Sequence, residues 1–299
     1  MNVPMRRLAV LEAPSNLGLE PPLPAVEPGV KYMAHVLREH GVLTRLQAED
    51  AGVVVPPAYA EAIDPVTRVR NARQIRQYSV ELADRLGVLL EEGKFPVVMG
   101  GDCSVLLGSA LALRRRGRYG LLFIDGHTDL LTPEYSQTGG LAGMDLACVT
   151  GVGPDLLADI DGYRPYIQPS DVAVFGYRWP AHDQVSVATP TASMHAMPLH
   201  RIRERGVGES THAAIKRLAL LEEGFWIHLD LDVLAPEWMP AVDSPDPGGM
   251  DPDELRTVLK IVLASPRCVG MEVTIYDPTL DPEEKLADFI IDLLASAWS

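Results

Sequence analysis

Short apolar runs alternate along the chain with longer segments whose apolar residues recur every three or four positions. The first pattern is typical of buried strands, and the second is typical of helices that cover one face of a sheet. Residues 71–92 have the clearest helical pattern, in which Ile75, Tyr78 and Leu82 fall on one side. This alternation predicts a three-layer α/β/α fold with a central, mostly parallel sheet.

The predicted elements extend from one end of the sequence to the other. Strands are predicted at 8–11, 95–99, 120–124, 172–175, 225–229 and 268–273. Helices are predicted at 29–40, 71–92, 104–116, 211–222, 251–264 and 282–295. Segments rich in Pro and Gly, at 132–143 and 236–249, predict loops. Because no repeat and no linker divides the pattern, we expect residues 1–299 to form a single domain.

Composition and charge narrow the classes of partner. A net charge of −15 over 299 residues disfavours a nucleic-acid partner, which a basic surface would attract. No apolar stretch reaches transmembrane length, and residues 1–7 do not lead into a signal peptide. Three scattered cysteines are too few for a disulfide framework. We therefore expect a cytoplasmic protein with no membrane and no nucleic-acid partner.

Two acidic clusters each follow a predicted strand. The first contains Asp125, His127 and Asp129, and the second contains Asp230 and Asp232. Side chains two residues apart in extended chain share a face, so each cluster can converge. Any one of these acids alone is an ordinary strand-end residue, but the pair of clusters favours a metal site. Oxygen ligands with some imidazole suit Mn²⁺, with Mg²⁺, Fe²⁺, Ni²⁺ and Zn²⁺ as competitors.

A further candidate lies at the predicted start of a helix, in the segment Gly-Gly-Asp-Cys-Ser at 100–104. The helix dipole stabilises a thiolate at such a position. Cys103 is therefore a candidate ligand or nucleophile. It is equally interpretable as a small buried residue.

Together these motifs resemble the ureohydrolases, the superfamily of arginase, agmatinase and formiminoglutamase. The resemblance is carried by the segments at 100–104, 125–129, 230–236 and 272–273, in that order and approximate spacing. It covers most of the chain. It implies a ureohydrolase-like domain with two Mn²⁺ ions, in which a metal-bound hydroxide attacks a guanidinium or amidinium carbon. A small guanidino or amidino substrate and a homo-oligomer are also implied.

The resemblance assigns roles to the acidic clusters. Asp125 and Asp230 would bridge the two metal ions. Asp129 would complete one metal site and pass a proton to the leaving nitrogen, as a catalytic residue. His127 and Asp232 would complete the other metal site.

The substrate residues are carried over in the same way. Glu272 matches the glutamate that holds the substrate guanidinium by paired hydrogen bonds. Leu130 and Ala142 match the Asn and His with which arginases hold the amino-acid end of arginine. Because a zwitterionic head would then be buried without partners, we expect unmodified L-arginine to be a poor substrate.

Three positions depart from the family pattern. Cys103 stands where the family has a His ligand, and the softer thiolate shifts the preference towards Zn²⁺, Fe²⁺ or Ni²⁺. If the thiol stays protonated instead, the first metal site is weak or empty. Gly126 replaces Ala, which is a minor change. Ala235 replaces an Asp that is not a metal ligand in the family, so we interpret its loss as a change in the surroundings of the ligands.

Other interpretations remain open on the sequence. One is an amide C–N hydrolase of the same fold, resembling the deacetylases. Another is a non-catalytic paralogue that binds a small molecule or a partner. His182 and His195 are either proton shuttles or surface residues, and His228 either orients a ligand carboxylate or is a hydrogen-bonded core residue.

Overall fold

The structure is a computed structural model that describes residues 6–178 and 193–298. An eight-stranded sheet runs through it, and every pair of neighbouring strands is parallel. Its strands are β1 (Leu8–Ala13), β2 (Glu49–Val53), β3 (Phe95–Gly100), β4 (Gly120–Ile124), β5 (Val172–Phe175), β6 (His195–Met197), β7 (Phe225–Asp230) and β8 (Cys268–Thr274). Across the sheet the order is β2-β1-β3-β8-β7-β4-β5-β6.

Helices connect the strands and cover both faces of the sheet. They are α1 (Met33–Glu39), α2 (Val42–Leu46), α3 (Ala72–Glu91), α4 (Val105–Arg114), α5 (Asp145–Val149), α6 (Asp155–Ala158), α7 (Leu199–Arg205), α8 (Val207–Leu218), α9 (Pro252–Leu263) and α10 (Lys285–Ser296). The three-layer α/β/α fold that the sequence predicts is confirmed. Within the described ranges, no helix is long and apolar enough to cross a bilayer.

Successive residues of each strand supply two separate cores, one on each face of the sheet. In β4, Leu121 and Phe123 pack into the core that contains α3 and α4, whereas Leu122 and Ile124 pack into the core with α9 and α10. In β7, Trp226 belongs to the α3–α4 side. Because side chains alternate along a strand, His228 and Asp230 face that side too.

The differences from the predicted elements occur where the apolar signal is weak. Edge strand β2 is largely exposed and lacks the apolar run of a central strand. Edge strand β6 is three residues long. Helix α8 begins four residues earlier than the predicted helix at 211–222, because its first turn has few apolar residues. His182 lies outside the described residues.

Candidate metal centre

The site lies at the carboxyl ends of four neighbouring strands, β3, β8, β7 and β4. In a parallel sheet, these ends meet along one edge, where ligand sites of α/β folds are built. The chain leaves β4 into Asp125 and β7 into Leu231. It leaves β3 into the turn that holds Cys103 before α4. Segments far apart in sequence are thus brought together.

Three groups of possible metal ligands have donor atoms within 4.8 Å of one another in the described part of the chain. These groups are Asp125 with His127 and Asp129; Asp125 with Asp230 and Asp232; and Cys103 with His228 and Asp230. The structure therefore brings together all six ligands that the sequence suggested. It adds His228 to them.

Backbone hydrogen bonds hold the carboxylates within each acidic loop and join one loop to the other. The amide of His127 donates to Asp125 at 2.6 Å, and the amide of Asp232 donates to Asp230 at 2.7 Å. The amide of Gly126 donates across to Asp232 at 3.0 Å. These bonds hold the carboxylates close to one another despite their repulsion.

His127 lies between two carboxylates. Its Nδ1 is 2.9 Å from Asp232 Oδ2, and its Nε2 is 3.2 Å from Asp246 Oδ2. Burial opposes protonation of the ring, but Asp232 and Asp125 outweigh it and raise the pKa of His127 to about 10. The imidazole thus supplies positive charge to the cluster in the metal-free protein.

Cys103 is buried beside Asp230. Its Sγ lies 2.7 Å from Asp230 Oδ2 and 3.2 Å from Thr274 Oγ1. Burial, together with the charge of Asp230, raises the pKa of the thiol well above its usual value. In the metal-free protein Cys103 is therefore a protonated donor, and a thiolate here needs a cation to stabilise it.

The carboxyl groups carry more negative charge than their surroundings compensate. Burial and the charge of Asp232 raise the pKa of Asp125 to about 7. Burial also raises the pKa of Asp230 and Asp145 well above the normal range. Among the described residues, Oδ2 of Asp125 and Oδ2 of Asp145 have no hydrogen-bond partner. Divalent cations would relieve this repulsion, so the donor set fits them.

Asp145, on α5, is a feature that the sequence did not reveal. It is fully buried, and its Oδ1 accepts a hydrogen bond from the amide of Leu146 at 2.6 Å. Burial, and after it the charge of Asp125, raises the pKa of Asp145. No motif distinguishes it in the sequence, because an acid at a helix start is common.

A cavity of about 540 Å³ opens above the ligand cluster. Five of the six predicted ligands line it, whereas Asp125 lies beneath and is 1% exposed. The described residues of its wall are Gly18, Leu19, Glu20, Cys103, His127, Asp129, Leu131, Tyr135, Ser136, Gln137, Thr138, Gly140, Ala142, Gly143, Asp230, Asp232, Asp243, Ser244 and Ile275. The cavity gives a small molecule access to the cluster.

The comparison with family models supports the same conclusion as the geometry. The model of the arginase family matches residues 27–298. The chain belongs to the arginase family. Membership makes it an enzyme of the ureohydrolase type, a metal-dependent amidino or guanidino hydrolase with a centre of two divalent ions.

Similar proteins align over nearly the whole chain. The arginase of Bacillus caldovelox is 27% identical over 98% of this chain and 98% of its own, and that of Bacillus subtilis is 27% identical over 97% of each. The native Bacillus caldovelox arginase structure has a TM-score of 0.89 at 26% identity, covering 99% of both chains. Formimidoylglutamase from Bacillus subtilis shares the fold, with a TM-score of 0.74 at 18% identity over 98% of this chain and 86% of that one.

Glu272 does not reach the cavity of this arginase-family chain. It is fully buried within β8, where one carboxylate oxygen lies 2.7 Å from His228 Nδ1 and the other accepts the hydroxyl of Ser109. The strand continues to Thr274, so the residue that emerges at the cavity is Ile275. The expected contact between Glu272 and a substrate guanidinium therefore lacks its geometric basis.

The loop after the first acidic cluster also differs from expectation. Leu130 is 1% exposed and belongs to the core, whereas Leu131 lines the cavity together with Ala142. Asp129 has a φ of 47°, so the chain does not continue as a strand there. The side chains that follow Asp129 therefore do not alternate between two faces as they would in a strand. Ala142 thus lines the cavity as expected, and Leu131 lines it instead of Leu130.

The remaining candidates lie away from the cavity wall. His195 is half-buried on edge strand β6, and burial lowers its pKa. Cys148 and Cys268 are buried in the two cores, consistent with packing roles. None of these three lines the cavity described above.

Proposed function

We propose that this chain hydrolyses a C–N bond of a guanidino or amidino compound that does not carry the free α-amino-acid head of L-arginine. The observation that supports the reaction is the convergence of the ligand groups beneath one cavity. The substrate class is supported by the charge of the cavity wall.

The proposed ligands hold two metal ions, and two of the aspartates are shared between the ions. Asp125 and Asp230 would each contact two ions, since each belongs to two of the ligand groups. Asp129 and Cys103 would complete the first site, and the second site would be completed by the two remaining ligands, His127 and Asp232. The ions would supply a hydroxide at neutral pH and polarise the attacked carbon. Mn²⁺ suits the oxygen ligands, whereas Cys103 favours Zn²⁺, Fe²⁺ or Ni²⁺.

Asp129 is the proposed proton carrier. Its side chain lines the cavity next to the cluster, so it can contact both the nucleophile and a bound substrate. In this role it accepts a proton on the cluster side and delivers it to the leaving nitrogen. The leaving amine departs protonated, and urea or a related amide remains.

The wall favours a substrate whose tail is cationic or neutral. Two divalent ions would offset most of the negative charge of the four aspartates and the Cys103 thiolate. Glu20 and Asp243 then remain as negative charges, both on exposed side chains of the wall. No Lys or Arg among the described wall residues would pair with a carboxylate. A free α-carboxylate would therefore be repelled, whereas a primary amine would be attracted.

One observation favours a second candidate, hydrolysis of an N-acyl amine. Ile275, an apolar residue, lines the cavity at the end of β8, whereas Glu272, the expected guanidinium partner, is buried in that strand. An amide carbonyl needs no carboxylate partner, whereas a guanidinium is bound best by one. The substrate panel below therefore includes an acylated amine.

The experiment compares substrates on the metal-loaded protein. We expect kcat/KM for urea release to be higher for a guanidine with a primary-amine tail than for L-arginine or a guanidine with a carboxylate tail. Asp243→Asn should lower kcat/KM for the amine-tailed compound about 10-fold, equivalent to about 1.4 kcal/mol. Gln137→Ala, on the same wall, is the uncharged control. Efficient turnover of L-arginine would contradict the proposal, and acid release from the acylated amine would favour the second candidate.

We also propose that the chain is one cytoplasmic domain spanning residues 1–299 that assembles as a homo-oligomer. Support for a reducing compartment comes from Cys103, Cys148 and Cys268, all of which are free thiols. Light scattering on the purified protein tests the assembly. A monomeric mass would contradict it.

A further inference from the structure

His228 lies deeper in the sheet than the acidic clusters. It is on β7, two residues before Asp230, and it is fully buried. Because alternate residues of a strand share a face, its ring extends to the same side as the Asp230 carboxylate. An imidazole at this depth needs partners for both nitrogens.

One ring nitrogen has its partner. Nδ1 lies 2.7 Å from Oε1 of Glu272, and Oε2 of Glu272 accepts the hydroxyl hydrogen of Ser109. With the carboxylate as acceptor at both oxygens, Nδ1 of His228 carries the hydrogen. Nε2 then presents a lone pair.

The ring plane is fixed as well. The rings of Phe123 and His228 stack with centroids 4.6 Å apart and an interplanar angle of 9°. Phe123, His228 and Glu272 are direct register neighbours across β4, β7 and β8. The orientation of the imidazole is thus set by the sheet on one side and by α4, through Ser109, on the other.

The second nitrogen has no partner among the described residues. Nε2 is buried without a hydrogen bond, although polar atoms of this kind are almost always paired. His228 has a ring nitrogen within 4.8 Å of ligand atoms of Cys103 and Asp230. Sulfur and nitrogen ligands on one Zn²⁺ lie no more than about 4.4 Å apart. The three donors therefore fit one ion after small side-chain adjustments.

We propose that His228 is an imidazole ligand of the first metal ion, together with Cys103 and Asp230, and that Glu272 and Ser109 are its positioning residues. A metal-bound imidazole whose other nitrogen donates to a carboxylate is a recurrent arrangement, which fixes the tautomer and makes the ligand more basic. The inference rests on the two-ion centre proposed above.

This arrangement explains both the cysteine at position 103 and the burial of Glu272. The imidazole that Cys103 replaces at the start of α4 is supplied from β7. Glu272, which is too deep to touch a substrate, orients the new ligand. Binding removes the proton of the Cys103 thiol but none from His228, because Nε2 of His228 already has its lone pair free.

The test measures metal binding on the full chain, with Zn²⁺ and Co²⁺ as probes. X-ray absorption of the wild type loaded with two Zn²⁺ should give two imidazole ligands per two ions, and His228→Gln should give one. Calorimetric titration should show the first-site affinity of His228→Gln reduced more than ~100-fold. His195→Gln, a histidine away from the cavity, is the matched control and should bind as the wild type does.

Glu272→Gln provides a second variant. A positioning role predicts about 10-fold weaker metal binding with an unchanged KM at saturating metal. A substrate contact would instead raise KM with metal binding unchanged, and would overturn this part of the inference.

The outcomes separate this inference from the proposed function. Two bound ions with an unchanged imidazole count and affinity in His228→Gln would overturn the role of His228 alone. Coordinated His228 in a loaded protein that hydrolyses no guanidine would overturn the proposed function alone. If His228→Gln does not fold, the wild-type imidazole count decides: two supports the inference, and one overturns it.

Discussion

The guanidinium group of Arg178 fills the space that a side chain at Gly126 would occupy. From there Nη2 of Arg178 donates to the carbonyl oxygens of Asp232 at 2.8 Å and of Leu234 and Gly248 at 3.2 Å. Burial raises the pKa of Asp232, but His127 and then Arg178 outweigh it and keep that pKa low. The glycine in the first acidic cluster is thus coupled to the position of the second cluster.

We predict that Gly126→Ala displaces Arg178. A new Cβ would also lie 2.8 Å from the carbonyl oxygen of Asp232, which cannot easily move. Overpacking of this kind costs about 1–3 kcal/mol of unfolding free energy, measured by urea denaturation of the metal-free protein. The double variant Gly126→Ala/Arg178→Ala should lose less than the sum of the two single changes. Strictly additive losses would show that the two residues are not coupled.

The second prediction concerns the carboxylates shared between ligand groups. Asp125→Asn and Asp230→Asn should each reduce metal affinity at both sites more than ~100-fold, beyond the effect of losing an outer partner. Metal content after gel filtration measures this loss. Asp243→Asn, which changes a carboxylate of the same cavity outside the ligand groups, is the control and should keep two ions. Asn variants with a full metal complement would rule out bridging roles.

The third prediction concerns the thiol of Cys103. In the Co²⁺-loaded protein we expect a sulfur-to-metal charge-transfer band in the near ultraviolet, and with Zn²⁺ a metal–sulfur distance near ~2.3 Å. Cys103→Ser should remove the band, whereas Cys148→Ser, the buried control, should keep it. Cys103→His should raise the relative affinity for Mn²⁺, because imidazole is a harder ligand than thiolate. A band that survives in Cys103→Ser would exclude the ligand role.

The fourth prediction is a pH dependence of the metal-free protein. The folded pKa of Asp125 is about 7, against about 3.9 in an unfolded chain. Between these values the folded state holds a proton that the unfolded state has lost, so stability falls as pH rises. The contribution of this group to the free energy of unfolding falls by about 3 kcal/mol between pH 4 and pH 7. The raised pKa of His127, about 10, acts in the same direction, with its stabilisation lost as pH rises towards 10.

Bound metal should reverse this dependence. Ligand carboxylates must lose their protons to bind, so apparent affinity rises with pH through the pKa of Asp125. The difference in unfolding midpoint between loaded and metal-free protein should therefore widen from pH 5 to pH 8. Metal-free stability that rises over this interval would show that the carboxyl groups do not carry the expected repulsion.

The central strands and the grouping of the candidate ligands were predictable because each depends on a short-range sequence pattern. The apolar runs at 120–124 and 225–229 match β4 and β7 to within one residue. Spacings of two residues placed the acids on shared faces, and the parallel sheet then brought the clusters together. Long apolar patterns and strand-end acids are signals that need no knowledge of packing.

The sequence did not predict correctly which side chains line the cavity where this depends on the last residue of a strand or on a backbone dihedral angle. Glu272 matched a family motif by its letters, but β8 continues past it to Thr274, which leaves it in the core. Leu131 lines the cavity instead of Leu130 because Asp129 adopts a positive φ, which no sequence pattern specified. The contact between His228 and Glu272 follows from the register of β7 and β8, and register was not predictable from either strand alone.

Titration of metal against activity tests the two-ion hydrolase most directly. Metal-free protein is loaded stepwise with Mn²⁺, and urea release from an amine-tailed guanidine is measured against ions bound per chain. We predict negligible release without metal and full activity only at two ions per chain. Full activity in metal-free protein, a maximum at one ion, or no urea from any guanidine at two ions would contradict the account.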